Sequence, residues 1–179
     1  MHLLQIIHGY KAIYKQKAES FETIDQKARE IGDSMVKTMH HEGAIGLGAN
    51  MVGILKRVIV VDMADSGQKD PIIAFNPEII NKSDELQTIE EASIAFPGIS
   101  VPISRPKEIE VSYLDYEGKK TSLKLEGFFA SVFQHEIDYL DGITIFDHVS
   151  KMKKELLLKK LEKNLKFNPP HIHGTHCHH

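Results

Sequence analysis

The chain has 179 residues, with 22 lysines and arginines against 25 aspartates and glutamates, so its formal net charge is -3. This length predicts one domain, and 41% apolar with 26% charged residues is typical of a globular protein, which excludes a disordered chain. The balanced charge gives no general reason to bind nucleic acid, and no sequence-specific contact with it is expected. No apolar stretch reaches the roughly 20 residues of a membrane-spanning helix, and the N-terminal segment does not resemble a secretory signal. The sequence therefore predicts a cytoplasmic or organellar protein without membrane contact.

The N-terminal part of the chain predicts one long helix. Apolar residues recur at steps of three and four, which is the spacing of one buried helical face. Thr23 with Gln26 fits a capping box, and Gly43 fits a helix stop. The helix is therefore predicted over residues 24–41.

The middle of the chain predicts antiparallel strands, because β-branched and alternating apolar residues are separated by turn residues. A polar loop over residues 64–71 separates the first two strands. The predicted strands are 57–62, then 72–80 with an interruption at Pro77, then a hairpin of 109–113 and 121–125 around a turn at 116–119.

Two further helices complete the predicted domain. One spans residues 127–140, and the other begins at Ser150 and ends before Asn168 and Pro169. The last helix mixes leucines with seven lysines between residues 151 and 166, so we expect it to pack one side and solvate the other. The layout is α+β, with one domain over residues 1–168.

Residues 169–179 predict a disordered tail, either native or an addition. Five histidines and Cys177 lie in its last nine residues, after two prolines. Its ligands are not held in place, so we expect only loose metal binding. Because Cys177 is the only cysteine, no intrachain disulfide can form.

The segment from Gln134 to Gly142 is the most informative stretch. On a helix, His135 and Tyr139 lie one turn apart, the geometry by which an H-E-x-x-H pattern holds zinc, but here the second position is a phenol. A phenol with a pKa near ~10 keeps its proton at neutral pH and is a poor ligand. The alternative is a packing role, with both side chains beside Phe128 and Val132 on one helical stripe.

Three segments in fixed order resemble motifs of the peptide deformylase family, metal-dependent hydrolases that remove the formyl group from the N-terminal methionine of new proteins. The segments are AIGLGANM at 44–51, EASIA at 91–95 followed by FPG, and QHEIDYLDG at 134–142. The likeness covers about residues 3–166. It implies a deformylase-like α+β fold, with antiparallel strands around a central helix of the H-E-x-x-H type and a further helix at each end of the chain.

This chain departs from the family at the positions that carry the chemistry. The resemblance places the metal ligands at Ser93, His135 and Tyr139, where the family has Cys, His and His. It places the acid/base at Glu136 and the oxyanion-stabilising donor, a glutamine in the family, at Met51. A serine hydroxyl is a weak neutral ligand, and a thioether donates no hydrogen bond. We therefore predict no bound cofactor, where the family holds Fe, Zn, Ni or Co, and no deformylation.

The peptide groove is expected to survive these changes. The resemblance implies that substrate binds as an added strand, and backbone pairing does not depend on side-chain identity. It places peptide contacts at Ile45, Gly46, Ala92 and Ile94. The predicted partners are N-terminal peptides of nascent proteins, formylated or not, and the Lys-rich last helix is a candidate ribosome contact. A relic cleft that binds nothing is the alternative.

Two enzymatic interpretations remain open at this point. In the first, Ser93 and His135 act as nucleophile and base of a metal-free hydrolase, with Asp138 or Glu136 orienting the imidazole. In the second, Cys177 or a histidine of the tail, from the same or a neighbouring chain, completes the coordination of a metal at His135 and restores deformylation.

Overall fold

The structure of the chain is a computed structural model that describes residues 2–170. The predicted disorder of the tail and its predicted metal role therefore lie outside the described residues, except at Pro169 and Pro170.

The three predicted helices are present. Helix α1 spans Gln26–His41, α2 spans Gly127–Leu140 and α3 spans Lys151–Phe167. The predicted start of α1 is wrong, because Asp25 rather than Thr23 caps it by accepting a hydrogen bond from the Ala28 N–H. Ser150 caps α3 in the same way through the Lys153 N–H.

Seven strands form two antiparallel sheets. The larger sheet has the order β1-β2-β3-β6-β7, and β4 pairs with β5 as a separate hairpin. The strands are β1 Gly46–Gly48, β2 Val58–Val61, β3 Ile72–Lys82, β4 Leu86–Ala92, β5 Ser100–Pro106, β6 Glu108–Leu114 and β7 Lys120–Glu126.

The predicted hairpin of β6 and β7 and the interruption of β3 at Pro77 are confirmed in position. The pairing of β3 with β6 shifts register between Phe75 and Glu78, and Asn76 adopts φ 49° in this bulge. The Asn76 side chain pairs there with the backbone N–H and carbonyl of Phe21. The polar loop at 64–71 contains a short 3-10 turn, Ala64–Ser66, and the hairpin of β4 and β5 was not predicted.

Strand β2 lies between two parts of the core. Val58 and Val60 pack on the side of α1, whereas Ile59 and Val61 pack against the residues of α2. All four are fully buried, so this strand is a continuous apolar run rather than an alternating one. Helix α2 contacts strands of both sheets, which confirms the prediction of a central helix in an α+β fold.

Helix α3 packs on one side only, as predicted. Leu161 is buried, whereas Met152 and Leu156 are 74% and 62% exposed. No helix among residues 2–170 is long and apolar enough to cross a lipid bilayer.

Candidate functional site

A cleft of about 260 Å³ opens between β1, β4 and α2. Larger grooves elsewhere, such as one of about 450 Å³ at the ends of β3, β6 and β7, contain none of the predicted site residues. The predicted site residues that line the cleft are Ile45, Gly46, Met51, Ala92, Ser93, Ile94, His135 and Glu136. Its apolar walls are completed by Ile89, Phe128 and Val132.

Tyr139 lies behind the cleft and reaches it through its hydroxyl. The ring is fully buried, and its OH donates a 2.7 Å hydrogen bond to Ser93 Oγ. Burial raises the pKa of Tyr139 well above its usual value, so the phenol stays protonated and acts as a donor.

A buried chain of charges ties the β4–β5 hairpin to α2. Arg105 of β5 donates two hydrogen bonds to Glu91 of β4, at 2.7 and 2.9 Å, and a third to Asp138 of α2 at 2.8 Å. His135 Nδ1 lies 2.8 Å from Glu91 Oε1, and His148 Nε2 lies 3.0 Å from Asp138 Oδ2. Bidentate guanidinium–carboxylate pairs are among the strongest hydrogen-bonded ion pairs, so this chain fixes the hairpin on the helix.

The charge chain also sets the state of the imidazole in the cleft. Burial opposes ionisation of Glu91, but hydrogen bonds from His135 and Arg105 outweigh it and lower the pKa of this carboxyl. Burial likewise opposes a charged His135, but its hydrogen bond to Glu91 and the nearby Glu136 raise the pKa of the imidazole. Because Nδ1 faces Glu91, only Nε2 is left for a ligand in the cleft.

Glu136 is the least satisfied polar group at the site. The backbone N–H of Gly48 hydrogen-bonds its carboxyl, but Oε2 has no hydrogen-bond partner among the described residues. Burial raises the pKa of Glu136 to about 7, although the neighbouring His135 acts in the opposite direction. A Cβ at Gly46 would lie 2.9 Å from Oε1, so only glycine lets β1 pass this close to the carboxyl.

The loop that carries Ser93 is held from two sides. Gly9 N–H donates to the Ala95 carbonyl, and Asn164 Nδ2 of α3 donates to the Pro97 carbonyl, at 2.8 and 2.9 Å. Gly98 adopts φ +76°, and a Cβ there would meet Asn164 Nδ2 at 2.5 Å. The floor of the cleft therefore depends on both ends of the chain.

A family model, curated proteins and solved structures all match this chain over most of its length. The family model described as Polypeptide deformylase matches residues 3–155. The chain belongs to the peptide deformylase family. A Rickettsia conorii protein named Peptide deformylase-like is 50% identical over 175 residues, and the alignment covers 98% of this chain and 96% of the Rickettsia protein. Peptide deformylase 1 of the same organism is 39% identical, with 91% and 97% covered. The solved peptide deformylase from Ehrlichia chaffeensis in complex with actinonin matches with a TM-score of 0.85 and 33% identity, over 92% of this chain and 98% of the other.

The residues at the metal-ligand positions that the family resemblance implies do not fit a divalent cation. Two oxygens bound to one zinc ion at about 2.1 Å in a tetrahedron stand about 3.4 Å apart, whereas Ser93 Oγ and the Tyr139 OH are 2.7 Å apart and hydrogen-bonded. Both are neutral hydroxyls, and His135 is the one strong ligand left of the three. Among residues 2–170, no group of three or more His, Cys, Asp and Glu side chains could hold a metal ion.

The predicted contacts of a metal-free hydrolase, with Ser93 on His135 and the imidazole oriented by Asp138 or Glu136, are not those of the structure. Ser93 hydrogen-bonds Tyr139 rather than His135, and the imidazole is oriented by Glu91. Asp138 instead pairs with Arg105 and His148. Among the described residues, Ser93 makes no hydrogen bond to a base. The predicted completion of the site by tail residues lies outside the described part of the chain.

Some residues of the site were not predicted or were placed wrongly. Arg105 carries no motif signal and lies in a strand that the sequence did not predict. The alternative of a packing role for Tyr139 holds, but with other neighbours than Phe128 and Val132: its ring contacts those of Tyr14 and Phe96, while Phe128 is 48% exposed at the cleft.

Replacing Arg105 tests the charge chain. We expect Arg105→Met to lower the free energy of unfolding by about 3–5 kcal/mol, because Glu91 and Asp138 then lose their buried partner. Urea unfolding measures this, with Lys107→Met as the matched control, since its pair with Glu85 is exposed and screened by water, so its loss should change the free energy of unfolding little. Equal effects of the two substitutions would show that the buried chain adds nothing.

The Glu136 carboxyl predicts a pH dependence of stability. Its pKa is about 7 in the folded chain against 4.5 ordinarily, so the folded state holds this proton more tightly. The resulting stabilisation is complete below about pH 4.5 and is lost as pH rises through about 7, a change of about 3 kcal/mol. Unfolding free energies of the wild type and Glu136→Gln, measured from pH 4.5 to 8, should diverge by this amount. A difference independent of pH contradicts the assignment.

Proposed function

We propose that this protein is a peptide-binding relative of the peptide deformylases that does not hydrolyse formyl groups. Its ligands are the N-terminal methionyl peptides of new proteins, with or without the formyl group, bound in the cleft between β1 and β4. The observation that carries the proposal is the hydrogen bond between Tyr139 and Ser93, which occupies the deformylase ligand positions while leaving the cleft open.

Two features of the cleft support peptide binding. β1 is an edge strand of the larger sheet and β4 belongs to a two-stranded hairpin, so each offers backbone groups to an added strand. Between them the walls are largely apolar, with Ile45 at the mouth, 42% exposed, and Ile89 and Val132 within. An apolar first side chain such as methionine would be desolvated there.

The absence of hydrolysis follows from the donor atoms. A metal of the deformylase type supplies an acidified water, and without adequate ligands Glu136 has no such nucleophile to assist. Met51 lines the cleft at the position of the oxyanion donor, and loss of one such donor raises the barrier by about 2.7–4 kcal/mol. Without the metal-bound water and without the oxyanion donor, the cleft can bind a peptide but cannot hydrolyse its formyl group.

The proposal extends to location and partners. We propose a cytoplasmic protein that meets peptides as they leave the ribosome, with the lysines of α3 as a contact with it. The exposed outer side of α3 supports this, because Met152 and Leu156 stand there among the lysines.

The first test is hydrolysis of formyl-Met-Ala-Ser. With added Ni²⁺ or Fe²⁺, we expect kcat/KM below about 10 M⁻¹s⁻¹, roughly a thousandfold under the low end for enzymes. Release of formate is measured in a coupled assay on protein freed of host deformylase. A metal-stimulated value above about 10⁴ M⁻¹s⁻¹ contradicts the proposal.

The second test is binding of the same peptide, and of unformylated Met-Ala-Ser, by calorimetry with and without EDTA. We expect equal affinity in both conditions and a loss of about tenfold for Ile45→Asp, which puts a charge at the apolar mouth of the cleft. Ile80→Asp is the control, because Ile80 is similarly exposed, at 53%, but lies on β3 away from the cleft. No binding of either peptide at millimolar concentration would identify a relic cleft.

A further inference from the structure

The loop after β4 contacts Tyr139 in two ways. Ser93 accepts the hydrogen bond from the Tyr139 OH, and Phe96, three residues later, stacks on the same ring with centroids 6.3 Å apart and planes at 28°. The Ala95 N–H also donates to Ser93 Oγ, at 3.3 Å. The serine hydroxyl therefore links the helix, its own loop and the end of β4.

The ring of Tyr139 is also part of an aromatic cluster. Tyr14 packs edge-on against both Tyr139 and Phe96, at 5.5 and 5.3 Å, and Phe146 packs against Phe96 at 4.8 Å. Tyr139, Tyr14, Phe96 and Phe146 are all fully buried. A phenol at position 139 thus serves as a core residue and as the donor to the loop.

We infer that Ser93 and Tyr139 are a coupled structural replacement for the family's metal cation. A cation bound by ligands at positions 93, 135 and 139 joins the end of β4 to α2, and here a direct hydrogen bond joins the same two elements. The inference goes beyond the proposed function, because it concerns what holds the cleft together and not what the cleft binds.

Coupling predicts that neither position can change alone. Tyr139→His leaves a gap in the aromatic cluster and restores one ligand only. Ser93→Cys offers a weaker acceptor to the buried Tyr139 hydroxyl, which then lacks a good partner. The double variant, with Ser93→Cys and Tyr139→His together, would supply with His135 the three ligands that the family arrangement requires.

The test compares the wild type with Ser93→Cys, Tyr139→His and the double variant, each in EDTA and with Co²⁺ alone as the probe. We expect the wild type and both single variants to take up the same small amount of Co²⁺, which is the loose binding expected of the His-rich tail. Each single variant should melt about 3–8 °C below the wild type. The double variant should bind about one Co²⁺ per chain more than the wild type, with a thiolate absorption band that the wild type lacks, and Co²⁺ should raise its melting temperature above the value in EDTA.

A second set of variants keeps the inference testable if the double variant does not fold. Tyr139→Phe keeps the ring and removes only the donor, and Ser93→Ala removes only the acceptor. Each should lower the melting temperature, and the two together should cost no more than the larger single effect, because both remove the same bond. Three outcomes would each overturn the inference: additive effects in this cycle, Co²⁺ raising the melting temperature of the wild type as it does that of the double variant, or a folded double variant that takes up no more Co²⁺ than the wild type.

Discussion

The guanidinium of Arg105 is the interaction on which the geometry of the cleft depends. It satisfies Glu91 on its own hairpin and Asp138 on α2, so two elements that share no backbone pairing are held in one register. Glu91 in turn orients His135, and the backbone that follows Glu91 leads directly to Ser93. A buried charge with these partners cannot move without leaving another charge unpaired, which makes this wall of the cleft rigid.

The site keeps the structural elements that surround the cleft of a deformylase, whereas its side chains differ at the positions that the resemblance gives to the chemistry. These elements are the central helix α2, the close passage of β1 past Glu136 at Gly46, and the hairpin of β4 and β5 held by ion pairs. In the function we propose, deformylase chemistry would need soft or imidazole donors at three points, two of which are here the hydroxyls of Ser93 and Tyr139, hydrogen-bonded to each other. The hydroxyl pair is neutral and local, so it fits the framework without a change in fold.

Periodic and β-branched segments were predictable because their signal is local. Helix α2 and the hairpin of β6 and β7 follow from such patterns, and motif resemblance placed His135 and Glu136 in one cleft. Strands β4 and β5 were not predicted, because the prolines at 102 and 106 and the charged residues on exposed faces obscure the strand pattern of this short, half-exposed hairpin. The roles of Arg105 and Tyr139 could not be predicted, since both depend on partners distant in sequence, and a capping box at Thr23 was outcompeted by the nearer carboxylate of Asp25.

The hydrogen bond from Asn164 to the Pro97 carbonyl links α3 to the loop below the cleft. It makes the C-terminal helix a brace for the segment that supports the cleft floor, and Gly98 allows the amide to come close. A chain that stopped before residue 164 would lose this brace, although none of the residues lining the cleft would be missing. Helix α3 therefore supports the cleft through a single amide, in addition to covering apolar surface.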